Sequence, residues 1–562
     1  MTPRLWISQL TFKDGTDIAL DSNDVVVVVG PNNAGKSAIL RAIRDRLQAN
    51  NDTPVVGKIE SRREGTTEDV ADWLSTFTKT PDPTASDLSF QAFGKGMPKS
   101  NIPSRWSNQN SLHELTRFFC HLLTADERLS AANAAPGIAI LRDPPTHPIH
   151  FLLRDDALEK RLSDQFFRAF GVDMLLDRAA GNQIPLRVGI RPIPEIGEDR
   201  LSLAYLEKLD ALPLLQGQGD GMRSFAGVLL NMSIGHESIL LVDEPEAFLH
   251  PPQARQLGKM MVVDKSDKRQ LFVATHSGDV LRGILDAGRP SVRVIRVRRV
   301  GNVNHLRQLE NSRVAELWGD PLLRYSNILD GLFHEKVVVC EGDADARFYS
   351  AVADTLFDGP DTRKPDVMFT HCGGKDRLAM VVRALTEVDV PVAVAVDFDV
   401  LSAERPLRDL VEIMGGEWSS IGSFWKTVKS SIDAKKPDLT PDEIRVEIAR
   451  TLEGVSDAAS LKAAKETVQK LFRRSTPWEV AKTTGKAFVP PGQPTQAFTR
   501  LMSELRRLGI FVVEEGEVEN FVRSVGNHGP KWVNETLKLN LASDPELTAA
   551  RAYVAMLVAD AG

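Results

Sequence analysis

The chain has 562 residues, more than one hydrophobic core usually serves, so two or three domains are expected. Apolar residues make up 42% and charged residues 26%, which describes an ordinary folded protein and excludes bulk disorder. The formal charge of −7 excludes a general attraction to nucleic acid or to an anionic membrane, so any DNA contact must come from a local basic surface or through bound metal. Cys120, Cys340 and Cys372 lack metal-ligand spacing and read as buried thiols in a reducing compartment. With no apolar signal-peptide core near Met1 and no run long enough to span a bilayer, a cytoplasmic protein without membrane contact is expected.

Residues 5–20 alternate in short strand-like runs and predict an antiparallel hairpin beside a larger sheet. Five consecutive valines, Val25 to Val29, then predict a strand buried on both faces. The turn that follows, Gly30-x-x-x-x-Gly35-Lys36-Ser37, holds Asn32 and Asn33 and leads into a helical pattern. Strand, glycine-rich loop and helix in that order form a phosphate-binding P-loop, so ATP is the expected cofactor. Backbone N–H groups close around the phosphates, Lys36 supplies positive charge, and the Ser37 hydroxyl can ligate Mg²⁺.

Residues 53–104 are rich in loop formers. Leu112, Leu115, Phe118, Phe119, Leu122 and Leu123 recur at helical spacing, as do Leu158, Leu162, Phe166, Phe167 and Phe170, which predicts a helical insertion. It serves either as a dimerisation element or as a lid packed on the sheet. The run from Ser238 to Val242 then predicts a buried strand that ends in two carboxylates, Asp243 and Glu244. Asp243 is placed to hold the water shell of Mg²⁺, and Glu244 to orient or deprotonate the attacking water. A further buried strand ends at His276, where a γ-phosphate contact would be useful.

These motifs resemble the ABC-type ATPases. The resemblance implies that Gln216 to Ser224, with Gly219 and Gly221, is the signature segment that closes over nucleotide held by a second subunit, and that the heads form a homodimer or higher homo-oligomer. Gly219 stands where that family has a serine. The basic run Val292 to Val300 alternates like a strand with one wet face, in preference to a nucleic-acid patch.

A second apolar run, Lys336 to Cys340, precedes Glu341-Gly342-x-x-Asp345, and another, Val390 to Val396, ends in Asp397-Phe398-Asp399. Strand ends in an α/β sheet share one crevice, and carboxylates gathered there repel unless a divalent cation, Mg²⁺ or Mn²⁺, neutralises them. Phosphodiester chemistry is the natural use of such a site. The two acidic motifs resemble the Toprim domain. An ABC-type head followed by Toprim resembles the overcoming-lysogenization-defect family of ATP-linked nucleases.

That likeness implies a later acidic segment with Glu519 and Glu517 as metal ligands, and Lys531 as a group that neutralises the transition-state phosphate. The expected fold is α/β: an ABC-type P-loop ATPase head with a helical insertion (residues 1–104, 105–180 and 181–327), then a Rossmann-like Toprim domain (328–562) interrupted by helices over about 402–500. Lys462, Lys465, Lys470, Arg473 and Arg474 in that interruption line a DNA path or, more simply, a solvated helix face.

The expected activity is ATP-regulated, metal-dependent cleavage or nicking of DNA, in bacterial anti-phage defence and with an accessory defence protein as a candidate partner. A DNA-sensing or partner-releasing ATPase with a degenerate Toprim domain is the competing expectation, and RNA stays open as a substrate.

Overall fold

The computed structural model describes residues 2–78, 89–92, 95–143, 145–234, 236–309, 319, 321, 327–359, 363–435, 441–453, 455–473 and 477–559. Two compact units divide the chain, Met1–Arg324 and Tyr325–Gly562.

In the first unit the strand Val25–Val29 is buried at every position because it lies inside a six-stranded sheet. Val292–Val300 and Gln270–Ala274 flank it in parallel, Ile239–Asp243 follows, and Cys120–Leu123 forms one edge. Val303–Leu309 closes the other edge, antiparallel to its neighbour. The near-continuous apolar runs follow from helices covering both faces of parallel strands. Strand order brings the carboxyl ends of Val25–Val29, Gln270–Ala274 and Ile239–Asp243 side by side, where ligands bind in open α/β sheets.

The edge strand corrects the helical reading of residues 112–123. Short helical turns, His113–Leu115 and Thr116–Phe119, run into the strand Cys120–Leu123. An open sheet edge offers backbone partners to an extended segment, and that pairing outweighs side-chain spacing. Helix Asp156–Phe170 lies where spacing predicts one, ahead of the antiparallel pair Asp173–Leu176 and Leu186–Gly189.

The amino-terminal hairpin, Arg4–Phe12 with Asp17–Ala19, shares a separate three-stranded sheet with Val56–Glu64. One tie to the large sheet is the buried Gln270 side chain, which accepts from Ile7 N and donates to Ile7 O, both at 2.8 Å.

The basic run is also corrected. Val292–Val300 is an interior strand with Arg296 buried, and Arg293 spends its charge on Asp24 at 2.5 Å and Asp21 at 3.1 Å. Only its last residues face solvent.

The second unit is built on four parallel strands in the spatial order Val367–His371, Lys336–Cys340, Val392–Val396, Ile510–Val512. Helices Asp343–Leu356 and Thr548–Val558 pack together, with Tyr349 and Tyr553 ring centroids 5.4 Å apart. Between the third and fourth strands the described residues form six α-helices, from Glu404–Ile413 to Gln493–Arg507. Trp425 Nε1 donates to Leu401 O at 2.9 Å and pins the second of these to the turn after the third strand. No described helix is long and apolar enough to cross a membrane.

Candidate functional site

The first site forms where Val25–Val29 gives way to the helix Lys36–Leu47. Gly30 has φ +150°, and a Cβ there would lie 2.2 Å from Val297 O, so no other residue fits the turn. Asn33 and Gly35 also take positive φ, the kind of backbone from which anion-binding loops are built. The Lys36 ammonium is buried and donates to Gly30 O at 2.8 Å and Pro31 O at 2.9 Å. Asn32 and Asn33 are exposed at the rim.

Ser37 Oγ donates to Asp243 Oδ1 at 2.8 Å, so the two oxygens a phosphate-bound cation would use are already adjacent. Burial pushes the Asp243 carboxyl above its ordinary value, and the neighbouring Glu244 charge adds to that. The donor set therefore fits a nucleotide with a divalent cation.

Glu244 adopts φ +48°, a left-handed conformation rare for glutamate. Its N–H donates to Ala274 O at 2.8 Å. His276 Nδ1 lies 3.6 Å from Glu244 Oε1 and 3.2 Å from Glu246 Oε1, and its N–H donates to Glu246 at 2.9 Å. Glu246 is a residue that motif reading passes over. Its carboxyl is buried and raised by burial, and its Oε2 has no hydrogen-bond partner.

Arg128 is missed as well. From the helix Ala125–Ala131 it donates to Asp243 O at 2.5 Å, Glu244 O at 2.9 Å and Ser224 Oγ at 3.1 Å. Ser224 lies in helix Asp220–Ile234, so one buried guanidinium ties that helix to the carboxylate turn. Gly219 and Gly221 stand at the start of the same helix, Gly221 close under Phe248 O. Nothing in the local spacing of residues 125–131 marks Arg128.

In the second unit, Glu341 follows one strand and Asp397 and Asp399 the adjacent one, and one carboxylate oxygen from each lies within 4.8 Å of the others. Glu341 Oε1 also accepts from Asp397 N at 3.1 Å. Burial raises the Asp397 carboxyl well above its ordinary value, with the Glu341 charge next, and burial likewise raises Glu341. Asp399 Oδ1 is buried without a hydrogen-bond partner. Crowded, desolvated carboxylates with an unpaired oxygen fit a divalent cation.

A second trio, Glu517, Glu519 and His528, converges within the same limit after the fourth strand. Glu519 Oε1 accepts from Gly529 N at 2.8 Å, and His528 Nδ1 stands 3.8 Å from Glu517 and 3.7 Å from Glu519. His528 carries no motif and is found only in three dimensions.

Asp345 joins neither trio. Its Oδ2 accepts from Gly342 N at 2.9 Å and caps the helix Asp343–Leu356. Burial raises its carboxyl from 3.8 to about 6, with Glu519 among the charges that add to the shift. Because the folded value is the higher one, the penalty is absent below pH 3.8 and complete above about pH 6. In EDTA, Asp345→Asn should therefore stabilise the protein at pH 7.5 by up to about 3 kcal/mol and change it little near pH 4. Thermal melts at the two pH values check this, and equal melting temperatures for variant and wild type at both would refute it.

Lys531 is exposed on the helix Pro530–Thr536, just after the Gly529 that holds Glu519. Lys462 and Lys465 are solvent-exposed, as a wet helix face requires, while the side chains of Lys470 and Arg473 and all of Arg474 lie outside the described residues. Two other lysines reach the first cluster: Lys375, whose Nζ lies 3.4 Å from Asp399 Oδ2, and Lys482, from helix Pro477–Thr484 of the insertion. For Lys482 the contact is with both aspartates. Its Nζ lies 3.1 Å from Asp397 Oδ2 and 3.9 Å from Asp399 Oδ2. Burial opposes its charge, but the two aspartates more than compensate and hold its pKa above the usual lysine value.

Comparison with known proteins matches residues 117–282 to an AAA domain described as a putative AbiEii toxin of a type IV TA system. Residues 332–399 match the TOPRIM domain of proteins like the overcoming lysogenization defect (OLD) protein. The chain joins an AAA-type ATPase domain to an OLD-like TOPRIM domain.

The Old nuclease of Escherichia phage P2 is 22% identical over 171 residues, 29% of this chain and 28% of that protein. Among solved structures, an Smc head bound to the C-winged helix domain of ScpA is 14% identical at TM-score 0.34, covering 54% of this chain and 98% of that one. The SMC head domain from Thermotoga maritima is 14% identical at TM-score 0.28, covering 55% and 100%. Overlaps this loose add nothing to the P-loop ATPase fold read from strand order. The match to the AAA domain begins within the Thr116–Phe119 turn and so takes in the Cys120–Leu123 edge strand, and the match to the OLD-like TOPRIM domain ends on Asp399.

Proposed function

We propose that the protein is an ATP-regulated, divalent-metal-dependent DNA endonuclease or nickase. The observation that carries this is the convergence of Glu341, Asp397 and Asp399 at the carboxyl ends of two adjacent parallel strands, with Glu517 and Glu519 leaving the next strand in the same sheet. A bound divalent cation, Mg²⁺ or Mn²⁺, would polarise a phosphodiester and offset charge on the departing oxygen. Glu341, Asp397 and Asp399 would hold that cation, Glu517 and Glu519 would extend the ligand set, and Lys531 would meet negative charge that develops on phosphate.

In the ATPase domain Lys36 and the loop N–H groups bind the phosphates, Ser37 and Asp243 hold the nucleotide's cation, Glu244 takes the proton of the attacking water, and His276 meets the γ-phosphate. Gly219 and Gly221 close over nucleotide held by a second copy, so ATP assembles a homodimer and hydrolysis resets DNA access. The family likeness supports a role in bacterial anti-phage defence, and the reading of the three cysteines as buried thiols of a reducing compartment supports residence in the cytoplasm.

Supercoiled plasmid incubated with Mg²⁺ or Mn²⁺, with and without ATP, tests this reading. Metal-dependent nicking or linearisation that ATP changes is the expected result. No cleavage by the wild type under any nucleotide condition, with ATP hydrolysis intact, would move the reading to a sensing or partner-releasing ATPase. Lys36→Ala should weaken ATP binding about 10- to 100-fold, the worth of a charge-assisted contact to phosphate, and should remove the effect of ATP on cleavage. Fluorescent-nucleotide titration checks the first part, and unchanged affinity would refute it.

A further inference from the structure

The helical insertion between the third and fourth TOPRIM strands delivers a cation to the metal cluster. Lys482 is the penultimate but one residue of Pro477–Thr484, and its Nζ stands against Asp397 and Asp399, two of the three carboxylates that converge there. Its placement is built by more than that ion pair. Lys482 O lies 2.1 Å from where a Cβ on Gly516 would be, so the acidic segment needs glycine there, at φ +119°, for the helix to approach. Asn520 Nδ2 donates to Thr483 O at 3.1 Å and to Glu515 O at 2.9 Å, which bridges the two segments. Lys486, just beyond the helix, pairs with Glu514 at 3.0 Å, and Trp478 packs near Phe398 of the Asp-x-Asp turn with ring centroids 6.5 Å apart.

The helix is thus fixed on both sides of Lys482, against the Asp397 turn and against the Glu517 segment. Three crowded carboxylates repel one another, and ammonium groups offset part of that repulsion. Lys375 touches Asp399 alone, at 3.4 Å and from an exposed side chain, whereas Lys482 is the less exposed of the two and touches both aspartates. A divalent cation does the same work more completely, but it must share Asp397 and Asp399 with a like charge already within 4 Å of them.

We propose that Lys482 is a built-in counter-cation of the TOPRIM cluster that competes with the divalent metal for Asp397 and Asp399, so that the helical insertion sets the metal affinity of the site. The inference rests on the metal-dependent reading above and adds a control to it. When the metal binds, the Lys482 ammonium swings off the aspartates toward solvent, a movement its flexible stem permits.

The test is Mn²⁺ binding to the full chain without nucleotide, read by electron paramagnetic resonance and counted as the binding that Asp397→Asn removes. Lys482→Met keeps the apolar stem and deletes the charge, and it should bind Mn²⁺ at least tenfold more tightly than the wild type. Wild-type binding that Lys482→Met leaves unchanged or weakens would overturn this inference alone. Absence of binding by both proteins would overturn it together with the metal-dependent reading.

A second measurement needs no variant. Acetylation of Lys482 in the wild type, followed by mass spectrometry, should rise several-fold when Mn²⁺ saturates the site, with Lys462 as an internal reference. Labelling of Lys482 that saturating Mn²⁺ leaves unchanged or lowers would overturn the proposal even if the methionine variant failed to fold.

Discussion

Asp397→Asn should lower metal-dependent DNA cleavage at least about 100-fold while leaving ATP hydrolysis unchanged. Outer partners of metal ligands are worth about 10- to 100-fold, so a direct ligand sets the lower bound of the effect. Asparagine keeps the shape of the side chain and the N–H that Glu341 Oε1 accepts at 3.1 Å, so the turn after Val392–Val396 should keep its path. What it removes is charge. Burial and the Glu341 carboxylate already hold the Asp397 carboxyl well above its ordinary value, so in EDTA the variant should be as stable as the wild type or more so. Loss of cleavage with an unchanged or raised melting temperature separates a lost ligand from a lost fold. Cleavage within a few-fold of wild type, at the same metal dependence, would remove Asp397 from the reaction.

Both sites were legible in the sequence wherever chemistry sits next to its own scaffold. Lys36 and Ser37 follow a valine strand within one turn, and Glu341, Asp397 and Asp399 each follow an apolar run directly, so spacing alone places them. Arg128, Glu246, Lys482 and His528 were not legible in the same way. Arg128 reaches the carboxylate turn from a helix 115 residues away in sequence, and Lys482 reaches Asp397 from a late helix of the insertion; only tertiary packing makes those neighbours.

Glu246 could have been found, since it stands two residues after Glu244 in the same turn. Asp345 has a place in the acidic motif that predicts a ligand, and the structure adds a second use that the motif does not show: one of its oxygens accepts from Gly342 N as a helix cap. At the level of fold, Cys120–Leu123 has helical spacing in sequence and becomes a strand because the sheet has an edge to fill. Val56–Glu64 alternates between inward and outward positions, but its charged outward residues make it read as a loop.

Glu244→Gln should reduce ATP hydrolysis by about 10²- to 10⁴-fold, the range for loss of a general base, while ATP binding stays within a few-fold of wild type. The geometry argues for so selective a loss. Backbone strain at φ +48° costs on the order of 1–3 kcal/mol and persists only where surrounding contacts over-determine it. Here those contacts are the bond from Glu244 N to Ala274 O and the bonds from Arg128 to the carbonyls of Asp243 and Glu244. They hold the main chain, so glutamine at 244 inherits the same pose and loses only basicity.

Removing the support instead of the base should give a different signature. Arg128→Met removes a donor from the carbonyls of Asp243 and Glu244, the latter keeping only its bond from Ala247 N, loosens the link to Ser224, and lets the Glu244 carboxylate drift; a displacement near 1 Å costs about 10²-fold in rate. The expected result is a kcat fall of that size with KM for ATP little changed and with partial recovery in Arg128→Lys, which restores one donor. Steady-state hydrolysis on folded variants, with binding measured separately, decides the matter. If Glu244→Gln hydrolyses ATP at the wild-type rate, Glu244 is not the base, and the buried Glu246 with its unpartnered Oε2 becomes the carboxylate to test. If Arg128→Met matches wild type in kcat, the guanidinium holds the fold alone.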